Sequence, residues 1–251
     1  MKRISVCVLT FNSARLLREC LTPLSEFADE IVVVDSGSTD GSLEIAAEFG
    51  LRPHYRTYTT HGDQMNHAIS LASNDWVLCM DSDEILDAES VARIQALKAE
   101  GLEEPTLAYR ISRHWYMLGE PVRALYPVSS PDYPVRLFHR GGVAFNDSPV
   151  DDKPVGQRDT KVIPGHVRHD TFHTVHEVFH KLNTYTSRLN VYRELPPSLL
   201  RAVLSATGAF FKWYFVKGSW RDGRVGVLAG VYAGLYSFLK YFKPWIKARR
   251  S

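Results

Sequence analysis

Four acidic side chains stand where chemistry is available to them. Asp35 closes the apolar run EIVVVD at 30–35, Asp40 follows in the loop SGSTDGS, and Asp81 and Asp83 flank Ser82 at the end of WVLCMD. Short runs rich in Val, Ile and Leu read as strands buried on both faces, as in a parallel sheet. Ligands of open α/β sheets bind beyond the carboxyl ends of such strands, so these acids fall on the reactive edge. Asp81 and Asp83 are hard donors one residue apart, suited to Mg²⁺ or Mn²⁺ and, through the ion, to a diphosphate. Asp35 heads a turn, starting at Ser36, whose amides and following helix N-terminus suit an anion or a sugar hydroxyl. A lone Asp-x-Asp is a frequent chance match in a solvated turn. Its weight comes from the buried strand before it and from Asp35 after a second strand.

A second cluster offers a different chemistry. His166, His169, His173, His176 and His180 crowd residues 166–180. The spacing of the last four puts them on one helical face if a helix starts early enough. His176-Glu177-Val178-Phe179-His180 fits H-E-x-x-H, in which two histidines hold zinc and the glutamate is a base. The alternative function is therefore a zinc-dependent hydrolase using His176, Glu177 and His180, with Glu194 as the downstream third ligand. That reading leaves the DSGSTDG and DSDE turns without a role. A third class is a non-catalytic nucleotide- or glycan-binding adaptor at a membrane.

The elements that must position these residues follow from periodicity. RISVCVLT at 3–10, EIVVVD and WVLCMD alternate with helical patterns after Asn12-Ser13, over SLEIAAEF, over 62–72 and over AESVARIQALKAE, with a short strand at 53–57. Strands alternating with helices predict βαβ units and a mostly parallel sheet flanked by helices. After residue 105, short strand-like pieces (LAYRIS, PVRLFH, GVAF) predict mixed or antiparallel pairing. A helix over 171–192 and a break at Pro196-Pro197 precede two apolar helices near 198–217 and 223–242. Lys2-Arg3 ahead of ISVCVLTF has the look of a short signal peptide, but no small-residue cleavage pattern follows, so the segment reads as the first strand.

The chain has 251 residues, enough for one or two domains with a real core and no disulfide staple. Ordinary apolar and charged content excludes collagen-like, disordered and disulfide-scaffold classes. Cys7, Cys20 and Cys79 fit no metal or redox spacing and read as reduced thiols. The net charge of +2 hides a split: residues 1–192 hold 19 Lys and Arg against 26 Asp and Glu, and residues 193–251 hold 11 against 2. This sets a domain at 1–192 and a segment at 193–251. In the latter, Phe210, Phe211, Trp213, Phe215, Tyr236 and Trp245 are ringed by basic residues. Such a hairpin suits an anionic lipid surface, with a packed subdomain or homodimer interface as the other reading. Gly226, Gly230 and Gly234, at four-residue spacing, permit close helix approach. Nucleic acid is not expected, because the basic residues flank bulky apolar helices and form no separate groove.

VLTFNSARLLRECL, EIVVVDSGSTDGSLEIA and NDWVLCMDSDE together resemble the inverting family-2 glycosyltransferases of GT-A fold, a Rossmann-like architecture. PDYPVRLFHR, HKLNTYTS and WRDGRVGVLAGVYAGLYSFLKYFK narrow the resemblance to the bacterial lipopolysaccharide-core glucosyltransferase group. The resemblance implies a nucleotide-sugar donor, here UDP-linked, a divalent cation, a lipid-linked glycan acceptor, and a place on the cytoplasmic face of the inner membrane. It puts Thr10 and Asn12 in the nucleotide pocket, Asp35 and Ser36 at the base or ribose, Asp81 at ribose or sugar, and Asp83 and His169 at the metal. Relatives show Val-His-Glu where this chain has Val150-Asp151-Asp152, so Asp152 falls on the base position and Asp151 on the histidine position. Relatives also carry a basic residue after the glutamine near 64. Here Met65 follows Gln64, and Gln64 and Asn66 are the compensating donor contacts.

Overall fold

The computed structural model describes residues 2–102, 104–148 and 152–248. The chain forms two compact units that divide at Arg113/His114, Asp132/Tyr133 and His169/Asp170. The charge-based boundary at 192/193 thus falls inside the second unit.

The first unit opens with β1 (Ile4–Thr10), α1 (Leu17–Ser25), β2 (Glu30–Asp35), α2 (Ser42–Glu48), β3 (His54–Tyr55), α3 (His61–Leu71), β4 (Trp76–Asp81), β5 (Glu84–Leu86) and α4 (Ala88–Glu100). β6 (Leu107–Met117) leads into the second unit, with β7 (Glu120–Pro121), β8 (Ala124–Leu125) and β9 (Val128–Ser129). The first unit resumes with β10 (Val135–His139), β11 (Ala144–Phe145) and β12 (Pro154–Val155). β13 (Asp159–Phe172) then carries the chain back to the second unit and its helices α5 (Val175–Tyr192), α6 (Leu199–Phe211) and α7 (Gly223–Ala248).

The main sheet runs β3-β2-β1-β4-β10-β6-β13-β5. β3, β2, β1 and β4 are parallel neighbours, and β10 joins β4 antiparallel. These four strands with their connecting helices make a Rossmann-like α/β start, as the strand and helix pattern predicts. The change of pattern after residue 105 shows as antiparallel pairing through β10, β6, β13 and β5, so the sheet as a whole is mixed. Alternation along β1 sorts the core. Val6 and Val8 pack with Leu17, Leu21, Leu24 and Ile94 from α1 and α4. Cys7 packs on the other face with Met65, Ala68 and Ile69 of α3. Register aligns Thr10 with Asp35 and Leu9 with Asp81, so three strands end at one level. The cysteines are buried and free.

In the second unit, Met117, Val122, Leu125, Phe172, Val178, Leu182, Val225, Ala229 and Tyr232 form one core. α6 runs on through a π-helical turn at 212–216, and the turn at 219–222 leads into α7. A Cβ on Gly226 would collide with the Ser219 carbonyl, and one on Gly230 would stand 3.1 Å from Tyr214, so the glycine spacing does serve close approach. The sequence holds no uninterrupted apolar run of roughly 18–20 residues, the usual mark of a spanning helix. Ser219–Ala248 is nevertheless long and apolar enough, by length and composition, to cross a membrane; 33% of its apolar window is buried within the protein.

Candidate active site

The loops after β1, β2 and β4 are tied together by small polar side chains. Asp35, almost fully buried, accepts hydrogen bonds from Gly37 N at 2.8 Å and Ser38 N at 2.9 Å, which shapes the turn. Asn12 sits at φ 49°, a conformation asparagine tolerates; its Oδ1 accepts from Thr39 N at 2.8 Å. Asp40 accepts from Ala14 N at 3.0 Å, and the Ser13 and Ser82 hydroxyls meet at 2.7 Å. Asp35, Asn12 and Asp40 thus hold the loop edge as well as lying on it. Gln64 donates to Ser36 Oγ at 3.0 Å and to the Arg56 carbonyl at 2.9 Å. Thr10 Oγ1 and Gln64 Oε1 are buried without a hydrogen-bond partner among the described residues. A buried polar atom left so costs about 1–3 kcal/mol, a penalty that a bound molecule or water relieves.

The DSDE segment divides into distinct roles. Glu84 is fully buried and pairs with Arg136, and with Arg113 at 2.9 Å. It also accepts from the Asp81 amide at 3.2 Å, which anchors the turn. Arg136 reaches on to Asp81 Oδ2 at 3.3 Å. Asp83 Oδ2 lies 3.3 Å from His169 Nε2. β13–β5 register explains that meeting: His169 stands opposite Glu84, next to Asp83. Among the described residues no three His, Cys, Asp or Glu gather into a metal-holding group. Asp83 and His169 make a two-donor set of carboxylate and imidazole.

His61, the first residue of α3, joins this cluster to Asp152. Its Nδ1 donates to Asp152 Oδ2 at 2.6 Å and its Nε2 to Asp81 Oδ1 at 2.8 Å. Burial opposes the charged ring, but the Asp81 charge and the bonds to both carboxylates outweigh it and push the pKa up to about 10. Burial likewise opposes ionisation of Asp81, yet the charges of His61, Arg136 and His169 hold its carboxyl well below the usual range.

Of the residues named from sequence, Asp81, Asp83, His169 and Asp152 come together through these contacts; Thr10 and Asp35 end the neighbouring strands, Asn12 and Ser36 follow them in the loops, and Gln64 reaches Ser36 from α3. Asp151 lies outside the described residues. His61, Glu84, Arg113 and Arg136 carry no signal in the sequence that marks them for the site, although DSDE contains Glu84 and PVRLFHR contains Arg136. Asn66 is engaged elsewhere: its side chain bonds the Phe145 backbone twice, each at 2.9 Å. Met65 is fully buried core.

The zincin reading is corrected. His169 belongs to β13, and α5 starts only at Val175 because Thr174 caps it. Glu177 Oε2 accepts from His173 N at 2.8 Å, one residue before the cap, while Thr174 Oγ1 accepts from Glu177 N, so both side chains serve the helix start. His176 and His180 stack on an exposed face. The four histidines therefore share no helical face, and Glu177 serves the helix end.

Residues 5–102 match the family described as Glycosyl transferase family 2. The chain is 27% identical over 266 residues to the lipopolysaccharide core biosynthesis glycosyltransferase LpsC of Rhizobium meliloti, covering 98% of this chain and 94% of LpsC. It is 33% identical over 111 residues to an uncharacterized glycosyltransferase of Rickettsia felis, where the match spans 44% of this chain and only 39% of that relative's length. Among solved structures it is similar to S. aureus TarS 1-349, at 14% identity and a TM-score of 0.43 over 99% of this chain and 91% of TarS.

Proposed function

We propose that this protein is an inverting, metal-dependent glycosyltransferase that moves a sugar from a nucleoside-diphosphate sugar to a lipid-linked glycan of the lipopolysaccharide-core kind. One observation carries the reading: His61 brings Asp152, far along the chain, onto the strand-end cluster of Asp81 and Asp83. Inversion needs a carboxylate base on the acceptor side and charge stabilisation on the donor side, and this cluster offers both. Asp152 takes the proton of the acceptor hydroxyl as its oxygen attacks the anomeric carbon, and the diphosphate leaves with the electron pair. Asp83 and His169 would hold Mg²⁺ or Mn²⁺, with phosphate oxygens and water filling the other positions. When bound, the ion supplies positive charge for the leaving diphosphate. The unpartnered Thr10 and Gln64 oxygens beside Ser36 and Asp35 support a nucleoside site on that flank. A UDP-linked donor is the working choice.

The acceptor class rests on the likeness to LpsC along nearly both chains. Membrane association is supported by a run of apolar surface: Leu200 is 70%, Leu204 64%, Phe211 56% and Phe215 51% exposed, with Lys212 and Lys217 beside them. Apolar contact with basic flanks suits the anionic cytoplasmic leaflet. The deciding experiment incubates the full chain with Mn²⁺, a panel of nucleotide sugars and a truncated lipopolysaccharide acceptor. Transfer from one donor, lost without divalent ion, is expected. Absence of both transfer and donor hydrolysis with every donor overturns the reading.

A further inference from the structure

We propose that His61 is a positioning residue that holds Asp152 as the base, anchored from behind on Asp81; this rests on the glycosyltransferase reading above. The geometry is a bridge. One imidazole reaches two carboxylates from its two nitrogens, at 2.6 Å to Asp152 and 2.8 Å to Asp81. Held at both nitrogens, the ring is fixed in orientation, and each contact to a carboxylate oxygen is a strong, directional one. The contact engages Asp152 Oδ2, and the carboxylate's other oxygen can take the acceptor proton.

The rest of α3 is built to receive the segment that carries Asp152. Thr60 caps the helix, and Met65, Ala68 and Ile69 bury it in the core, so its first turn is a rigid platform. Asn66 clamps Phe145 through both its donor and its acceptor. Asn146 and Lys153 close the hairpin, with Asn146 N donating to the Lys153 carbonyl at 3.1 Å and Asn146 Oδ1 accepting from Lys153 N at 2.9 Å. Phe145 meets the His61 ring edge-on at 5.8 Å. Gly62 completes the fit: a Cβ there would stand 2.9 Å from the Asn146 carbonyl oxygen and 3.1 Å from Asp152 Cβ. His61, Gly62 and Asn66 therefore act as one docking face. A carboxylate on a short loop has rotamer freedom that costs rate, and a misplacement of about 1 Å can cost roughly 10²-fold.

The test is a double-mutant cycle on the full chain, with melting curves to check folding. His61→Gln extends an amide toward Asp81 and gives up Asp152; His61→Asn keeps a donor nearer the Nδ1 position that serves Asp152. The glutamine variant is expected to lose roughly 10- to 100-fold in kcat with donor KM little changed, and the asparagine variant to recover part of that loss. In an Asp152→Asn background, His61→Gln should cost almost nothing more, since its effect passes through Asp152. His61→Ala repeats the cycle if the glutamine variant does not fold. Fully additive losses in an active wild-type background overturn this inference alone. A wild-type protein that turns over no nucleotide sugar overturns the functional reading and this inference with it.

Discussion

His169 Nε2 lies 3.3 Å from Asp83 Oδ2, and strand register is what brings them together. β13 pairs antiparallel with β5, three residues long, immediately after the DSD turn. A residue distant in sequence is thereby set beside the second aspartate, on a backbone that leaves it little freedom.

Asp83→Ala is expected to lower transfer by on the order of 10²-fold or more and to abolish its Mn²⁺ dependence, with an unchanged melting temperature in the absence of ligand. Steady-state rates over a metal titration check this. Near-normal turnover with the same metal response would show that Asp83 is no ligand.

Asp152→Asn is expected to reduce kcat by about 10²–10⁴-fold, the range for a lost general base, with little change in donor affinity. Donor binding by calorimetry beside kcat separates the two. An equal loss in donor affinity would move Asp152 to the donor side.

Gly62→Ala places a methyl against the Asn146 carbonyl, backbone that cannot rotate away. Overpacking of this kind costs about 1–3 kcal/mol, read by urea denaturation. Because the hairpin shifts with Asp152, kcat should fall as well. An alanine variant as stable and active as the wild type would show that the hairpin moves freely on α3.

Acid should destabilise the protein through hydrogen-bonded carboxylates such as Asp40 and Glu30. Burial works against ionisation of Asp40 and Glu30, yet hydrogen bonds from Ser42 and Ala14, and from Ser5 and Ser73, hold both below the ordinary range. Folded-state values below unfolded ones give stability that is full above the unfolded values and lost as pH falls through the folded ones. Unfolded Asp and Glu titrate near about 4, so the melting temperature should hold from pH 7 to about 5 and fall below about 4. Asp40→Asn should flatten part of that fall; a wild-type curve level down to about pH 3 would contradict it.

The full chain should sediment with anionic vesicles at low salt, and less at high salt. Removing residues after 194 would strip Val225, Ala229 and Tyr232 from the second unit's core, so the cleaner test is Leu204→Glu with Phe211→Glu on the exposed face. Each large apolar side chain buried is worth roughly 1.5–3 kcal/mol, so the pair should cut binding more than tenfold with folding intact. No vesicle binding by the wild type would assign the apolar face to protein contact.

The sequence by itself determined the elements and the loop edge. β1, β2 and β4 are legible because buried parallel strands demand continuous apolar runs, and the acids that end them announce themselves by position. The C-terminal helices and their glycine spacing are legible for the same local reason. Tertiary structure decided what was non-local. β13 carries Pro164, Gly165 and a mostly polar sequence, so no period marks its 14 residues as a strand. The histidine cluster depends on where α5 begins, which Thr174 and Glu177 set through a cap. Glu84, Arg113, Arg136 and His61 look like ordinary surface charges in a one-dimensional reading. Pairing across strands and burial turn the first three into an internal ion network and the last into a bridge between two carboxylates. Charges lose water on burial and need partners, and which partners they find is a property of the packed sheet, absent from any single segment of chain.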